Sequence, residues 1–274
     1  MRVFIGKHCK GGEVILINHI QFGQGEDIIF LHGWGGSIQS FLGIANRLKN
    51  NYRVTLVDFY GFGDTPPKPY PIYLEDYAES ILDIIEHYKM RQVILVGHSF
   101  GGRVAIKFAS RYSHLLQKIV LVDSAGIKPR RKLSYYFKIF RHKLLNLLNI
   151  EHTAGSADYR KLDSVAKQTF KNIINEDLTP ITQKITLPVL IFWGGKDKET
   201  PIYMARKLYK NLVCSTLIVF KGLGHYAYIE RQNQFYMLLK SYLLEEHYAL
   251  ADIINNHNLG GSTILKIPHA LSKQ

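Results

Sequence analysis

The sequence predicts an α/β domain built as a doubly wound, mostly parallel sheet with helices on both faces. Apolar, β-branched runs alternate with helical patterns of about 10 to 17 residues, and parallel strands need a crossover of that length between them. One run, Val93 to Val96, breaks into a glycine-flanked turn and then straight into a small-residue helical pattern. The chain has 274 residues, 46% hydrophobic and 21% charged, which is enough to bury one large core.

In chain order, opening strands are followed by the strand Ile28 to Leu31, a helix near Ser37 to Leu48, a strand near Arg53 to Asp58 and a helix near Leu74 to Tyr88. In the last of these Leu74, Tyr77, Ala78, Ile81, Leu82 and Ile85 share one face, a stripe that must face the core. The strand at Val93 and its helix come next. A strand over Ile119 to Val122 ends at Asp123, Val189 to Trp193 is a buried strand leading to a tight turn at Asp197, and Ser215 to Phe220 is another strand. No internal repeat or low-complexity tract interrupts this order.

Val96 runs into Gly97, His98, Ser99, Phe100, Gly101 and Gly102, a Gly-x-Ser-x-Gly pattern at a strand-to-helix junction. The residue at the apex of such a turn is exposed on a strained backbone, and only glycine fits two positions to either side. Ser99 is therefore the candidate nucleophile. The first amides of the following helix have no partner within it and point at the apex, so Phe100 is a candidate donor to an oxyanion.

A serine hydroxyl needs a base, and the base an orienting acid. Of the 12 histidines, His225, His247, His257 and His269 lie downstream of a credible acid, and of these only His225 follows a strand pattern. It is the candidate base. Asp197, at the carboxyl end of its strand with Thr200 and Pro201 opening a helix behind it, is the candidate acid; Asp123 is the competitor and is read as a structural hydrogen-bonding residue. A second oxyanion donor is expected from His32, Gly33, Trp34, Gly35 and Gly36, whose glycines let the Trp34 amide turn toward the serine. The spacing of that loop matches neither Gly-x-Gly-x-x-Gly nor a lysine-bearing phosphate loop.

The loop His32 to Gly36, the segment Asp58 to Thr65, the elbow Gly97 to Gly102, Asp197 and His225 together resemble the α/β-hydrolase superfamily over roughly residues 12 to 246. The resemblance implies an eight-stranded sheet, a Ser-Asp-His triad at the carboxyl ends of the strands, and a helical cap inserted after the sixth strand. Within the superfamily the sequence is similar to serine carboxylesterases and C–C bond hydrolases, and the loop at Trp34 resembles that of the pimeloyl-carrier-protein methyl esterases. Ser99 in place of an aspartate argues against haloalkane dehalogenases and epoxide hydrolases, and the absence of His-Gly-Gly-Pro-Gly against proline iminopeptidases. Asp64 and Thr65 stand where many relatives carry a basic residue followed by serine.

The expected division is a core of residues 1–126 and 185–246, a cap of 127–184, and an extension, 247–274, of no assigned role. The first half of the cap, Ile127 to Ile150, holds Lys128, Arg130, Arg131, Lys132, Lys138, Arg141 and Lys143 without an acidic residue, a concentrated share of the formal net charge of +13. A solvated cap helix, steering of an acidic substrate and peripheral contact with an anionic membrane all fit this pattern. The sequence pI near 9.5 comes with no helix-turn-helix, zinc or RNP-type motif, so nucleic acid is not expected as a partner. The apolar runs are too short to cross a membrane. With no secretion leader at Met1 and only Cys9 and Cys214, which match no metal or redox spacing, a cytoplasmic setting is expected. The expected activity is hydrolysis of a small or medium ester or thioester without metal or organic cofactor. A C–C bond hydrolase or an elimination enzyme of the menaquinone-pathway type, using the same residues, is the alternative.

Overall fold

Five strands carry the core because their sequences are apolar on both faces, the pattern of parallel strands covered above and below. They are β3 (Glu26–Leu31), β5 (Val93–His98), β6 (Leu116–Val122), β7 (Val189–Gly194) and β8 (Ser215–Phe220). The computed structural model describes residues 2–10, 13–129, 162–244 and 262–265. The remaining strands are β1 (Arg2–Lys10), β2 (Glu13–Gly23), β4 (Tyr52–Val57) and β9 (Ser262–Leu265), and the sheet order is β1-β2-β4-β3-β5-β6-β7-β8-β9. The strands from β4 to β8 are mutually parallel, whereas β2 runs antiparallel to β1 and β4, and β9 antiparallel to β8.

The described residues thus form nine strands, one more than expected. The additional strand, β9, comes from the segment read as an extension, and pairs Ser262 with Phe220 and Leu265 with Leu217. Four residues at a sheet edge carry too little periodicity to announce a strand.

Side chains alternate between the two faces with the strand period of two. Val93, Leu95, Ile119, Leu121, Val189 and Ile191 pack toward helices α2 (Leu74–His87), α3 (Phe100–Tyr112) and α6 (Ile202–Asn211). Ile94, Val96, Val120, Val122, Leu190 and Phe192 pack toward α1 (Gln39–Leu48) and α8 (Gln232–Leu243). The predicted stripe of α2 is buried residue for residue, and Asp76 accepts a hydrogen bond from the Tyr73 amide at 2.7 Å, fixing the first turn.

Between β6 and β7 the described chain contains α4 (Ser164–Asn175) and the short α5 (Thr179–Thr182); α7 (Ala227–Glu230) follows β8. The Asp163 carboxylate caps α4 by accepting from the Ala166 amide at 2.7 Å. At the other end, the buried Arg103 guanidinium on α3 donates to the carbonyls of Ile173 and Glu176 at 2.5 and 2.7 Å, and Lys107 Nζ pairs with Glu176 at 2.9 Å. Burial pushes the Arg103 pKa down to about 10, which still leaves it charged. This clamp fixes α4 against the helix that begins at Ser99. Most of the expected cap, including its basic residues from Arg130 onward, lies outside the described residues, as does most of 247–274. No helix among the described residues is long and apolar enough to cross a membrane.

Candidate active site

Ser99 sits between the end of β5 and the start of α3 at φ 49° and ψ −109°, in the left-handed region that side chains other than glycine rarely adopt. The turn is over-determined by hydrogen bonds: the Ser99 amide donates to the Val122 carbonyl at 2.9 Å, and the Ser99 carbonyl accepts from Ala125 at 2.9 Å and Arg103 at 3.2 Å. A Cβ on Gly97 would stand 2.5 Å from the Gly101 carbonyl, so the tight strand-to-helix crossing requires glycine there.

The residues singled out from sequence converge on this serine. Ser99 Oγ lies 2.9 Å from His225 Nε2, and His225 Nδ1 lies 2.7 Å from Asp197 Oδ2. With Nδ1 facing a carboxylate, the proton belongs on Nδ1 and the Nε2 lone pair faces the hydroxyl. Trp34 and Phe100 are also beside the serine. Phe100 opens α3, and Trp34 lines the same pocket of about 520 Å³ as Ser99 and His225. The Trp34 and Phe100 rings meet edge to face at 5.4 Å.

Asp197 is held by an Asx turn: its Oδ1 accepts from the amides of Glu199 at 2.8 Å and Thr200 at 3.0 Å, while Thr200 Oγ1 donates to Oδ2 at 2.6 Å. Burial drives its pKa upward, but the hydrogen bonds from His225 and from the Thr200 side chain and amide together outweigh burial and hold the carboxyl below its usual range. Asp123, at the end of the neighbouring strand, meets the opposite fate. Its Oδ1 accepts from the Gly194 amide at 2.7 Å, its Oδ2 has no hydrogen-bond partner among the described residues, and burial raises its pKa well above normal against that one hydrogen bond, with the neighbouring Asp197 carboxylate pushing the same way.

Ligand atoms of Asp123, Asp197 and His225 all lie within 4.8 Å of one another, a donor set that fits a cation by type. Asp197 Oδ2 and His225 Nδ1 are committed to each other, however, which is an arrangement for orienting an imidazole.

Four further residues shape the site and were not assigned roles from sequence. Thr200 braces Asp197. His98 is fully buried, and burial together with the His225 charge pushes its pKa down to about 3. Its neutral ring therefore donates from Nε2 to the His225 carbonyl at 2.9 Å, pinning the backbone of the base. Glu199 Oε2 approaches His225 Nε2 to 3.3 Å from the solvent side. Phe170, on α4, closes the pocket against Trp34 with ring centroids 5.0 Å apart. The Asp-x-x-Thr spacing of Asp197 and Thr200 is a signal for the first; the others depend on contacts between distant segments.

Residues 28–232 match the family described as alpha/beta hydrolase fold. The chain belongs to that family. Among its relatives, the pimeloyl-[acyl-carrier protein] methyl ester esterase of Vibrio vulnificus (strain YJ016) is 27% identical over 247 residues, covering 80% of this chain and 95% of the relative. The 2-hydroxy-6-oxo-2,4-heptadienoate hydrolase of Pseudomonas putida is 23% identical over 274 residues, covering 88% of this chain and 97% of the relative. Among solved structures, an esterase from Exiguobacterium antarcticum superimposes with a TM-score of 0.68 at 25% identity, over 83% of this chain and 95% of that one. This α/β hydrolase therefore has relatives named for ester cleavage and for a hydrolysis of a different class of substrate, and the fold alone does not choose between them.

Proposed function

We propose that this hydrolase cleaves a small or medium carboxylic ester or thioester through an acyl-enzyme on Ser99. The observation that carries this reading is the continuous relay from Ser99 Oγ to His225 at 2.9 Å and from His225 to Asp197 at 2.7 Å, opening on a pocket of about 520 Å³. That volume lies within the range of small-molecule sites.

His225 Nε2 takes the hydroxyl proton as Ser99 Oγ forms a bond to the substrate carbonyl carbon. The carbonyl π pair moves onto oxygen, and the amides of Trp34 and Phe100 receive that oxyanion. Asp197 stabilises the imidazolium without taking its proton. As the oxyanion collapses, the bond to the alcohol or thiol breaks and His225 passes its proton to the leaving group. Water, deprotonated by the same imidazole, then attacks the acyl-serine and releases the acid. Every proton in the cycle is carried by His225, and the hydrogen bonds around Asp197 keep that acid ionised for the purpose.

The test is hydrolysis of a p-nitrophenyl ester series by the wild type and Ser99→Ala, with mass spectrometry for an acyl adduct. Turnover and an adduct on Ser99, with the variant slower by on the order of 10⁴- to 10⁶-fold, is the expected result. Absence of turnover and adduct across the series overturns the ester reading and moves the assignment to a C–C bond or elimination substrate.

A further inference from the structure

Trp34 has a second side. Behind it lies another chamber, of about 280 Å³, lined by Trp34, Tyr60, Phe62 and Tyr77 on the core side and by Val165 and Ala166 of α4 on the other. Trp34 lines both spaces; Phe170 meets it edge to face from the Ser99 pocket, with ring centroids 5.0 Å apart, and Phe62 meets it from the chamber at 4.9 Å.

The chamber is pre-formed. Thr169 Oγ1 accepts from the Ile72 amide at 3.1 Å and Asn172 Nδ2 donates to the Ile72 carbonyl at 3.2 Å, tying α4 to the loop that forms the opposite wall. The clamp from Arg103 holds the end of the same helix. The polar groups around the chamber are largely spoken for. Thr169 holds Ile72, Asp163 caps α4, Tyr77 Oη donates to the Tyr60 carbonyl at 3.4 Å, and Lys68 Nζ lies over the Tyr60 ring at 4.6 Å. The surface left for a guest is mostly aromatic and aliphatic.

We propose that this chamber is a distal subsite for the end of an apolar acyl chain whose carbonyl is held at Ser99. The proposal rests on the hydrolytic reading above. The chamber has the liquid volume of roughly nine water molecules, room for the last several carbons of a medium-length chain but not for a long one. The Trp34 and Phe170 pair then divides substrates into short acyl groups, which stay on the Ser99 side, and longer ones, which pass or displace the pair.

Two readouts test it. The first is the ratio of kcat/KM for p-nitrophenyl octanoate to that for the acetate. Ala166→Phe, which places a ring inside the chamber, is expected to lower that ratio at least tenfold; Ala166→Leu, a milder filling, lowers it less. A structural disturbance would lower both esters together and leave the ratio unchanged, which would overturn the subsite. The second readout needs no turnover. The chain has 2 tryptophans, and Trp193 is fully buried with its indole bonded to the Thr200 carbonyl, so Trp34 reports on a guest in either space, and the variant separates the chamber's share. In the wild type, decanoate is expected to change the emission saturably and at least tenfold more tightly than butyrate, which stays on the Ser99 side of Trp34; in Ala166→Phe the decanoate response falls to that of butyrate. An identical response in wild type and variant overturns the subsite even where esters are hydrolysed. A decanoate response reduced to that of butyrate in the variant upholds it even where no ester is cleaved, in which case it is the ester reading that falls.

Discussion

Asp123 and Asp197 end adjacent parallel strands, β6 and β7, a few ångströms apart and both buried, yet their protonation is driven in opposite directions. Asp197 accepts from two amides, a hydroxyl and an imidazole. Asp123 accepts from one amide, and its other oxygen has no hydrogen-bond partner among the described residues. Position at the carboxyl end of a strand thus does not make a carboxyl group an orienting base. The count of donors does, because each hydrogen bond to the ionised form offsets part of the desolvation cost.

The sharpest way to break this comparison is Asp197→Asn. The amide cannot hold His225 as a base with its lone pair toward Ser99, and kcat is expected to fall by on the order of 10⁴-fold, measured on the best ester of the series. Retention of activity within tenfold would mean that Asp123 takes over, and that the two acids differ less than their hydrogen bonds indicate.

Thr200→Val removes one donor from Asp197 and leaves the amides in place. A loss of roughly 10-fold in kcat is expected, of the size that one charge-assisted hydrogen bond supports. The pH dependence of stability follows with a definite sign. Because the folded-state pKa of Asp197 is lowered, its contribution is complete above the unfolded value of about 3.9 and is lost as pH falls through the folded value. Removing a donor raises that folded value, so Thr200→Val is expected to lose stability at a higher pH than the wild type during acid denaturation. An unshifted acid limb would place the Thr200 hydroxyl on the Asp123 carbonyl, another of its partners, at 3.1 Å.

Glu199 supplies the exposed control. Its carboxylate also reaches His225, at 3.3 Å, but the side chain is 64% exposed, and water and salt screen it. Glu199→Gln is expected to change kcat/KM less than about threefold at physiological ionic strength. A larger change would make it a third working carboxylate of the site.

Much of this site was legible in the chain, for reasons that differ residue by residue. The sharp turn at Ser99 requires glycine at fixed offsets, so the local sequence betrays it. Asp197 and His225 follow apolar strands whose carboxyl ends lie on the same edge of a parallel sheet as the end of β5, so the pattern puts their loops on the Ser99 side of the molecule. His98 and Phe170 were not legible as parts of the site. The first acts through a carbonyl 127 residues away and the second through a ring contact with Trp34 across the interface of α4 and the core. Neither leaves a periodicity or a spacing. The strand β9 was missed for a related reason: an edge strand is defined by its partner, and Ser262 to Leu265 has no pattern of its own. The choice of Asp197 over Asp123 was carried by the turn and the helix start that follow Asp197. In the structure that same stretch is where Glu199 and Thr200 donate their amides.

An equally small effect on activity is expected from Asp123→Asn, and it is the most discriminating. If Asp123 already carries a proton near neutral pH, an uncharged isostere changes little at the site: the Gly194 amide keeps an acceptor, and kcat is expected to stay within about threefold of the wild type. Stability tells the two apart. A carboxyl whose folded-state pKa is raised binds a proton in the folded chain that the unfolded chain has released, so wild-type stability must fall as pH rises from about 4 toward the raised value, with a slope of at most about 1.4 kcal/mol per pH unit. The charges of Asp197 and Glu230 also raise the Asp123 pKa and so extend that decline to higher pH. Asp123→Asn lacks the titration, so its stability relative to the wild type is expected to rise between pH 4.5 and pH 7 in urea denaturation. A pH-independent difference would mean that Asp123 is ionised in the folded protein. The strand-end cluster would then carry two negative charges, and the neutral partner that leaves Asp197 as the sole ionised acid behind His225 would be missing.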